Sequence, residues 1–188
     1  MNSELTWPRE RPSFGRVCLR PFTTADVHLV AELATDPYVP AIGSVPTEYS
    51  HAEGLAWIER QHCRAHDGSG YSFAIADSST DLAVGAAGLW LRALTEGRAT
   101  AGYSVSPLHR GRGYAADALA ALTSFAWTLD DLHRVELYIE PWNAGSIRTA
   151  ERAGYVREGL LRSHQEIGGM RRDMLLYARL RRSPHASG

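Results

Sequence analysis

The segment His109-Arg110-Gly111-Arg112-Gly113-Tyr114-Ala115 carries the residue types that hold a phosphate. It follows a strand-like stretch, Thr100 to Val105, and opens into a helix-like stretch, Tyr114 to Leu129. A helix N-terminus leaves backbone N–H groups without intrahelical partners, and the helix dipole makes that end attractive to anions. Gly111 and Gly113 lack the Cβ atoms that would keep a diphosphate off the backbone, and Arg110 and Arg112 add positive charge. A solvated turn of the same composition would bind nothing; the strand before it and the helix after it point to a ligand. A second polar cluster, Glu140-Pro141-Trp142-Asn143-Ala144-Gly145-Ser146, follows about thirty residues on, leaving room for one helix and one strand between the two.

The elements that must position these residues read as follows. Residues 1–15 hold Pro8, Pro12 and Gly15 and form an irregular arm. Val17 to Arg20 is a short strand, and Thr23 or Thr24 caps a helix to about Ala34 with Val27, Val30, Ala31 and Leu33 on one stripe. Asp36 to Pro46, with three prolines, is a loop. Ser50-His51-Ala52-Glu53 is a capping box that opens a helix to about His66. Tyr71–Ala76, Leu82–Leu91 and Arg98–Val105 are three strands, followed by the Ala-rich helix, a strand over Arg134–Ile139 and a helix that Asn143 caps and Gly154 ends. Tyr155–Leu161 and Asp173–Leu180 are the last strands, joined through Gly168-Gly169, and residues 183–188 are a frayed, disordered tail.

Composition narrows the chemistry. A chain of 188 residues with 44% apolar and 22% charged residues fits one domain, spanning 16–182, with a real core. A net charge of −1 argues against a nucleic-acid-binding face, and no apolar run is long enough to span a membrane. The N-terminus does not resemble a signal peptide, so a cytoplasmic protein with reduced Cys18 and Cys63 is expected. All 20 basic residues are Arg. Without Lys there is no Walker-type loop, no pyridoxal phosphate Schiff base and no protein-kinase strand Lys. His62 and His66 share a helix face at zinc-like spacing, but no second ligand pair completes a site, and no metal is expected.

The spacing Arg110-x-x-Gly113-x-Ala115 resembles the pyrophosphate-binding signature Gln/Arg-x-x-Gly-x-Gly/Ala of the GNAT superfamily of acetyl-CoA-dependent N-acetyltransferases. Asn143-Ala144-Gly145-Ser146, Glu151-Arg152-Ala153-Gly154-Tyr155 and the opening Leu19-Arg20-Pro21-Phe22 resemble its ribosomal-protein-alanine branch, the RimJ/RimL-like enzymes. The resemblance covers nearly the whole chain. It implies an α/β fold with a mixed, splayed sheet of about seven strands flanked by about four helices, matching the element order above.

It also implies acetyl-CoA as cosubstrate and a primary amine that attacks the thioester directly in a ternary complex. The backbone from Arg110 through Gly111, Arg112, Gly113 and Tyr114 to Ala115 would anchor the diphosphate, and an N–H near Val105, where the family's strand bulges, would polarise the carbonyl. Many relatives use a Tyr to meet the leaving thiolate; that position is Ala150 here. The branch instead implies Ser146 as proton donor and Asn143 as a ligand of the pantetheine amides, although both residues also suit simple helix capping. The common strand base is missing, since Ala99-Thr100-Ala101 holds no carboxylate. Glu166, next to Gln165, and Glu140 and Glu158 are the candidate bases. Trp57, Trp90 and Trp127 are core by default, whereas Tyr38 and Trp142 are placed in the acceptor cleft.

An α-amine titrates near ~8 and a Lys side chain near ~10, so weak provision for a base favours a protein or peptide N-terminus. The alternatives are a small-molecule amine (amino acid, polyamine or aminoglycoside) and a non-catalytic acyl-CoA-binding module. Exposed strand edges would also permit a homodimer.

Overall fold

A computed structural model describes residues 5–182. It contains β1 (Ser13–Phe14), β2 (Val17–Arg20), α1 (Val27–Ala34), α2 (Tyr38–Ile42), α3 (His51–His66), β3 (Gly70–Asp77), β4 (Ala83–Trp90), β5 (Arg98–Val105), α4 (Tyr114–Ala126), β6 (Arg134–Ile139), α5 (Ala144–Arg152), β7 (Val156–Ile167) and β8 (Met170–Leu180). The strands form one sheet in the order β1-β2-β3-β4-β5-β6-β8-β7. Every neighbouring pair is antiparallel except β5 and β6.

The sheet has eight strands rather than seven, and there are five helices rather than four. Both additions are too short for periodicity to reveal. Within the expected irregular arm, Gly15 at φ +56° turns the chain so that Phe14 pairs with Val17. Within the expected Pro-rich loop, the Asp36 carboxylate accepts the Tyr38 N–H at 2.8 Å and starts one short helix, whose Pro40 sits in the first turn where no N–H is needed. The last two strands also run further than their hydropathy indicates. Gly168 and Gly169, both at positive φ, make a two-residue turn that zips β7 and β8 together through the polar stretch Arg162–Glu166. The expected tail at 183–188 lies outside the described residues.

Two apolar layers sandwich the sheet. Leu119, Leu122 and Phe125 of α4 pack on Phe73, Leu89, Val135 and Tyr177 on one face. Leu29, Val30 and Leu33 of α1 and Trp57 and Ile58 of α3 pack on Ala74 and Ala83 on the other. Side chains alternate between the faces along each strand, so a residue's parity decides which layer it meets. Ser50 Oγ accepts the Glu53 N–H at 3.1 Å, so α3 has its N-cap. No helix of the described residues is long and apolar enough to cross a membrane.

One buried ion pair ties the N-terminal strand to α1. Arg20 forms a bidentate bond to Asp26 at 2.7 and 2.9 Å, and both side chains are nearly fully buried. Burial alone would raise the Asp26 pKa, but Arg20 and the Thr23 N–H at 2.7 Å lower it on balance. Because the folded pKa is depressed, this stabilisation is present at neutral pH and is lost as pH falls below the ordinary Asp value towards the folded one. Asp26→Asn leaves Arg20 buried without its anion and should cost about 3–5 kcal/mol by chemical denaturation at pH 7. The penalty should shrink in acid; a cost under ~1 kcal/mol at pH 7 would mean that Arg20 is held by its Asp81 contacts instead.

Candidate active site

The site begins where two strands part. β5 and β6 pair only from Arg98/Arg134 to Thr100/Glu136, and beyond that row they diverge. Ser106 N–H donates to the Val84 carbonyl at 2.9 Å, which sets the even-numbered residues of β5 in hydrogen-bonded pairs with β4. In an antiparallel ladder the intervening residues point their polar groups the other way. The amides of Tyr103 and Val105 therefore face the widening gap, available to an oxygen placed there. The β4–β5 register from Gly85/Val105 to Trp90/Thr100 is unbroken, so the implied bulge is absent and the gap arises from divergence of β6 alone.

At the end of β5 the chain turns into α4. The N–H groups of residues 110–116 find no backbone partner among the described residues, and no side chain caps the helix. Gly111 and Gly113 sit at φ +76° and +88°; an added Cβ would stand in open space at Gly111 and 4.0 Å from Arg152 Nη1 at Gly113. Nothing in the fold requires these positions to be bare, so their glycines serve the turn's conformation and keep its outer surface clear. Arg110 is not free to meet a ligand there. Its Nε donates to the Val105 carbonyl at 3.0 Å and its Nη2 pairs with Asp36 at 2.6 Å, bracing the residues before α2 against β5. Arg112 and Arg152 are exposed, and Arg152, which sequence reading did not single out, comes within reach of the turn only because α5 packs beside α4.

A hydrogen-bonded chain crosses the mouth of the gap. Asn143 Oδ1 accepts the Ser146 N–H at 3.0 Å and caps α5. The Tyr38 hydroxyl lies close enough to Asn143 and Glu140 for both side chains to perturb its titration. Burial, followed by the Glu140 carboxylate, pushes the Tyr38 pKa far up, so this phenol stays protonated. Ser146 Oγ accepts the Tyr103 hydroxyl at 3.2 Å, and burial raises the Tyr103 pKa as well. Tyr103 was missed because Ser146 lies 43 residues away and only the tertiary fold, with α5 packed on α4, β6 and β7, brings them together.

The three carboxylates separate. Glu140 directly follows β6, is 4% exposed, stands 3.7 Å from Arg172 and is close enough to Tyr38, a cavity residue, to raise its pKa. Glu158 forms a bidentate pair with Arg134 at the opposite end of β6, away from the gap. Glu166 is exposed on the outer face of β7, while its neighbours Gln165 and Ile167 point into the cavity. Geometry therefore retains Glu140 alone.

A cavity of about 560 Å³ passes through the gap. Tyr103, Ser146, Leu137 and Ile139 line it on the α4–α5 face, and Trp57, Gln61, Arg64, Ser72 and Trp90 line it on the α3 face. Tyr38 stands at the junction. Trp142 is 62% exposed and meets Tyr38 edge to face at 4.9 Å, at the rim rather than in the lining. Trp57 is core as expected, but it and Trp90 both form cavity wall.

A model of the acetyltransferase (GNAT) domain matches residues 16–156, three quarters of the protein. The chain belongs to the GNAT acetyltransferase family. An uncharacterized N-acetyltransferase of Bacillus licheniformis, p20, is 28% identical to this GNAT enzyme over 169 residues, 89% of this chain and 94% of the relative. Among solved structures, RimJ of Mycobacterium smegmatis in complex with CoA-disulfide aligns with a TM-score of 0.75 and 25% identity, over 91% of this chain and 84% of that one. A spermidine N-acetyltransferase from Vibrio cholerae, in complex with CoA and spermine, aligns with a TM-score of 0.71 and 21% identity, over 88% of this chain and 95% of that one. These neighbours share the GNAT fold at 25% identity or less, so the acceptor must be argued from the site itself.

Proposed function

We propose that this acetyltransferase moves the acetyl group of acetyl-CoA to the α-amine of a protein or peptide N-terminus by direct attack in a ternary complex. The observation that carries the reading is the cavity through the parted sheet, which joins Asn143, Ser146 and Tyr103 on one face to a separate chamber lined by Trp57, Arg64 and Trp90 on the other. Two reactants can enter from opposite faces and meet without a covalent enzyme intermediate, which removes the entropic cost of a bimolecular encounter.

Free amides from Arg110 to Ala115 hold the diphosphate, with Arg112 and Arg152 adding charge. Asn143 meets the pantetheine arm. The Val105 amide donates to the thioester oxygen as the amine nitrogen attacks the carbon. The C–S bond breaks, and the sulfur takes a proton from Ser146, which takes one from the Tyr103 hydroxyl, and solvent in the cavity returns a proton to the phenol. The amine's proton leaves through Tyr38 towards Glu140. An α-amine near pKa ~8 is already partly neutral at physiological pH, so this single indirect carboxylate suffices, whereas a Lys acceptor would need more.

The acceptor class is tested by release of CoA thiol with two matched peptides, one with a free N-terminus and no Lys, the other N-blocked with one Lys. The free α-amine should react at least about tenfold faster at pH 7.5. Equal rates, or faster turnover of spermidine than of either peptide, would move the acceptor to side-chain or small-molecule amines.

A further inference from the structure

The α3 side of the cavity carries a charge pattern that the transfer reaction does not use. Arg64, on the last turn of α3, and Arg92, just after β4, both line it, and none of its lining residues is Asp or Glu. Arg64 is held in place. Its guanidinium lies over the Trp90 ring at 5.4 Å, and its Nη2 donates to Ser44 Oγ at 3.3 Å, which also accepts Trp57 Nε1 at 3.1 Å. The Trp90 platform itself depends on two glycines. Gly88 and Gly102 face each other across β4 and β5, and a Cβ on either would come within 2.9 Å of the indole. Their bareness lets the ring lie flat on the sheet. Most of the five Arg64 donors are left for a ligand. Arg92 is exposed and forms no ion pair among the described residues. The two cations sit across the sheet from the Gly111–Gly113 turn, so they are not part of the same phosphate site. Asp67, at the end of α3, is the carboxylate that acts on Arg64, and it does not line the cavity; Glu140 stands 3.7 Å from Arg172.

We propose that Arg64 and Arg92 form an oxyanion subsite that selects acceptors bearing a carboxylate or phosphate close to the reacting amine. Arg presents paired N–H groups that match either oxyanion, and a polycationic amine would meet repulsion there. Register gives the reach. Thr100, paired with Trp90, lies three residues along β5 from Tyr103, roughly 10 Å at the rise of a strand. Two extended residues span roughly 7 Å, and the side chain of an acceptor's second residue covers the remaining ~3 Å towards Arg64. The inference rests on the N-acetyltransferase reading and narrows it to N-termini with an acidic or phosphorylated second residue.

The test uses peptides Ala-Asp-, Ala-phosphoserine- and Ala-Asn- on one common sequence, with spermidine as the polycation. The parent protein should favour at least one anionic peptide over Ala-Asn by about tenfold or more in kcat/KM, and turn over spermidine least. Arg64→Gln should erase that preference through KM while leaving the Ala-Asn rate within about twofold; Arg92→Gln, in the exposed position, should do less. Preference for Asp alone, phosphoserine alone or both identifies the oxyanion, and each supports the subsite. No preference in the parent, or an equal loss on all peptides in Arg64→Gln, overturns it. Calorimetric titration with the N-acetylated product peptides separates this inference from the reading beneath it. Tighter binding of the anionic product, lost in Arg64→Gln, would uphold the subsite even if no thiol is released with any amine, an outcome that would fail the transferase reading alone. Equal binding of acidic and neutral products would overturn the subsite whatever the turnover.

Discussion

Gly113→Val will bind acetyl-CoA at least about tenfold more weakly than the parent protein, a loss of ~1.4 kcal/mol or more. Two effects combine. Gly113 sits at φ +88°, where a β-branched residue is strained by roughly 1–2 kcal/mol, and the turn must distort or bear that strain. The new side chain also occupies the clear space in front of the free amides. Thermal unfolding with and without ligand measures it. A ligand at a hundred times its Kd adds roughly 2.7 kcal/mol to the parent, and at the same concentration the increment should fall to about 1.4 kcal/mol or less in the variant. Gly168→Val is the control, because Gly168 also has positive φ and open space but lies on the β7–β8 turn. It should lose intrinsic stability while keeping the acetyl-CoA increment. An unchanged increment in Gly113→Val would remove the turn from the cofactor site.

Ser146→Ala will lower kcat by about tenfold or more at pH 7, as the loss of a proton donor to the leaving sulfur requires, with acetyl-CoA affinity little changed. The α5 cap uses the Ser146 backbone N–H, so the variant keeps its fold. The pH dependence carries the sign. A thiol titrates near ~8.5, so below that value the departing sulfur needs a proton, and above it the thiolate leaves well unaided. The penalty should therefore be largest near neutrality and shrink as pH rises past the thiol's range. Tyr103→Phe removes the bond to Ser146 Oγ and should cost less, about threefold to tenfold. If the two hydroxyls act as one relay, the double variant should cost scarcely more than Ser146→Ala. Multiplying penalties, or a Ser146→Ala deficit that does not change with pH, would make Ser146 structural.

What was legible in the sequence was local. Strand, Gly-rich turn and Ala-rich helix announce Gly111 and Gly113 within fifteen residues, and Asn143 announces a cap because its partner, Ser146, is three residues on. Ser50 and Glu53 announce α3 in the same way. What was not legible depends on contacts between distant segments. The charge of Arg110 suggested a phosphate, but Asp36 and the Val105 carbonyl hold it, and nothing near residue 110 signals Asp36. Arg152 and Tyr103 join the site only through packing of α5. Glu140, Glu158 and Glu166 could not be ranked before their positions along β6 and β7 were known, since strand parity and strand end decide which of them reaches the gap. Trp90 looked like core because an aromatic in a strand usually is. Its place in the cavity depends on Gly88 and Gly102, two unremarkable glycines until the β4–β5 register sets them opposite each other.

The central claim is that both substrates meet in one cavity and the amine attacks the thioester directly. The measurement that tests it is the initial rate of thiol release with acetyl-CoA and an N-terminal peptide varied together. Intersecting reciprocal plots, with no thiol released before the peptide is added, are the predicted result. Parallel plots with a burst of thiol in the absence of peptide would show a covalent acetyl-enzyme and contradict the account, as would a folded protein that binds acetyl-CoA and releases no thiol with any amine.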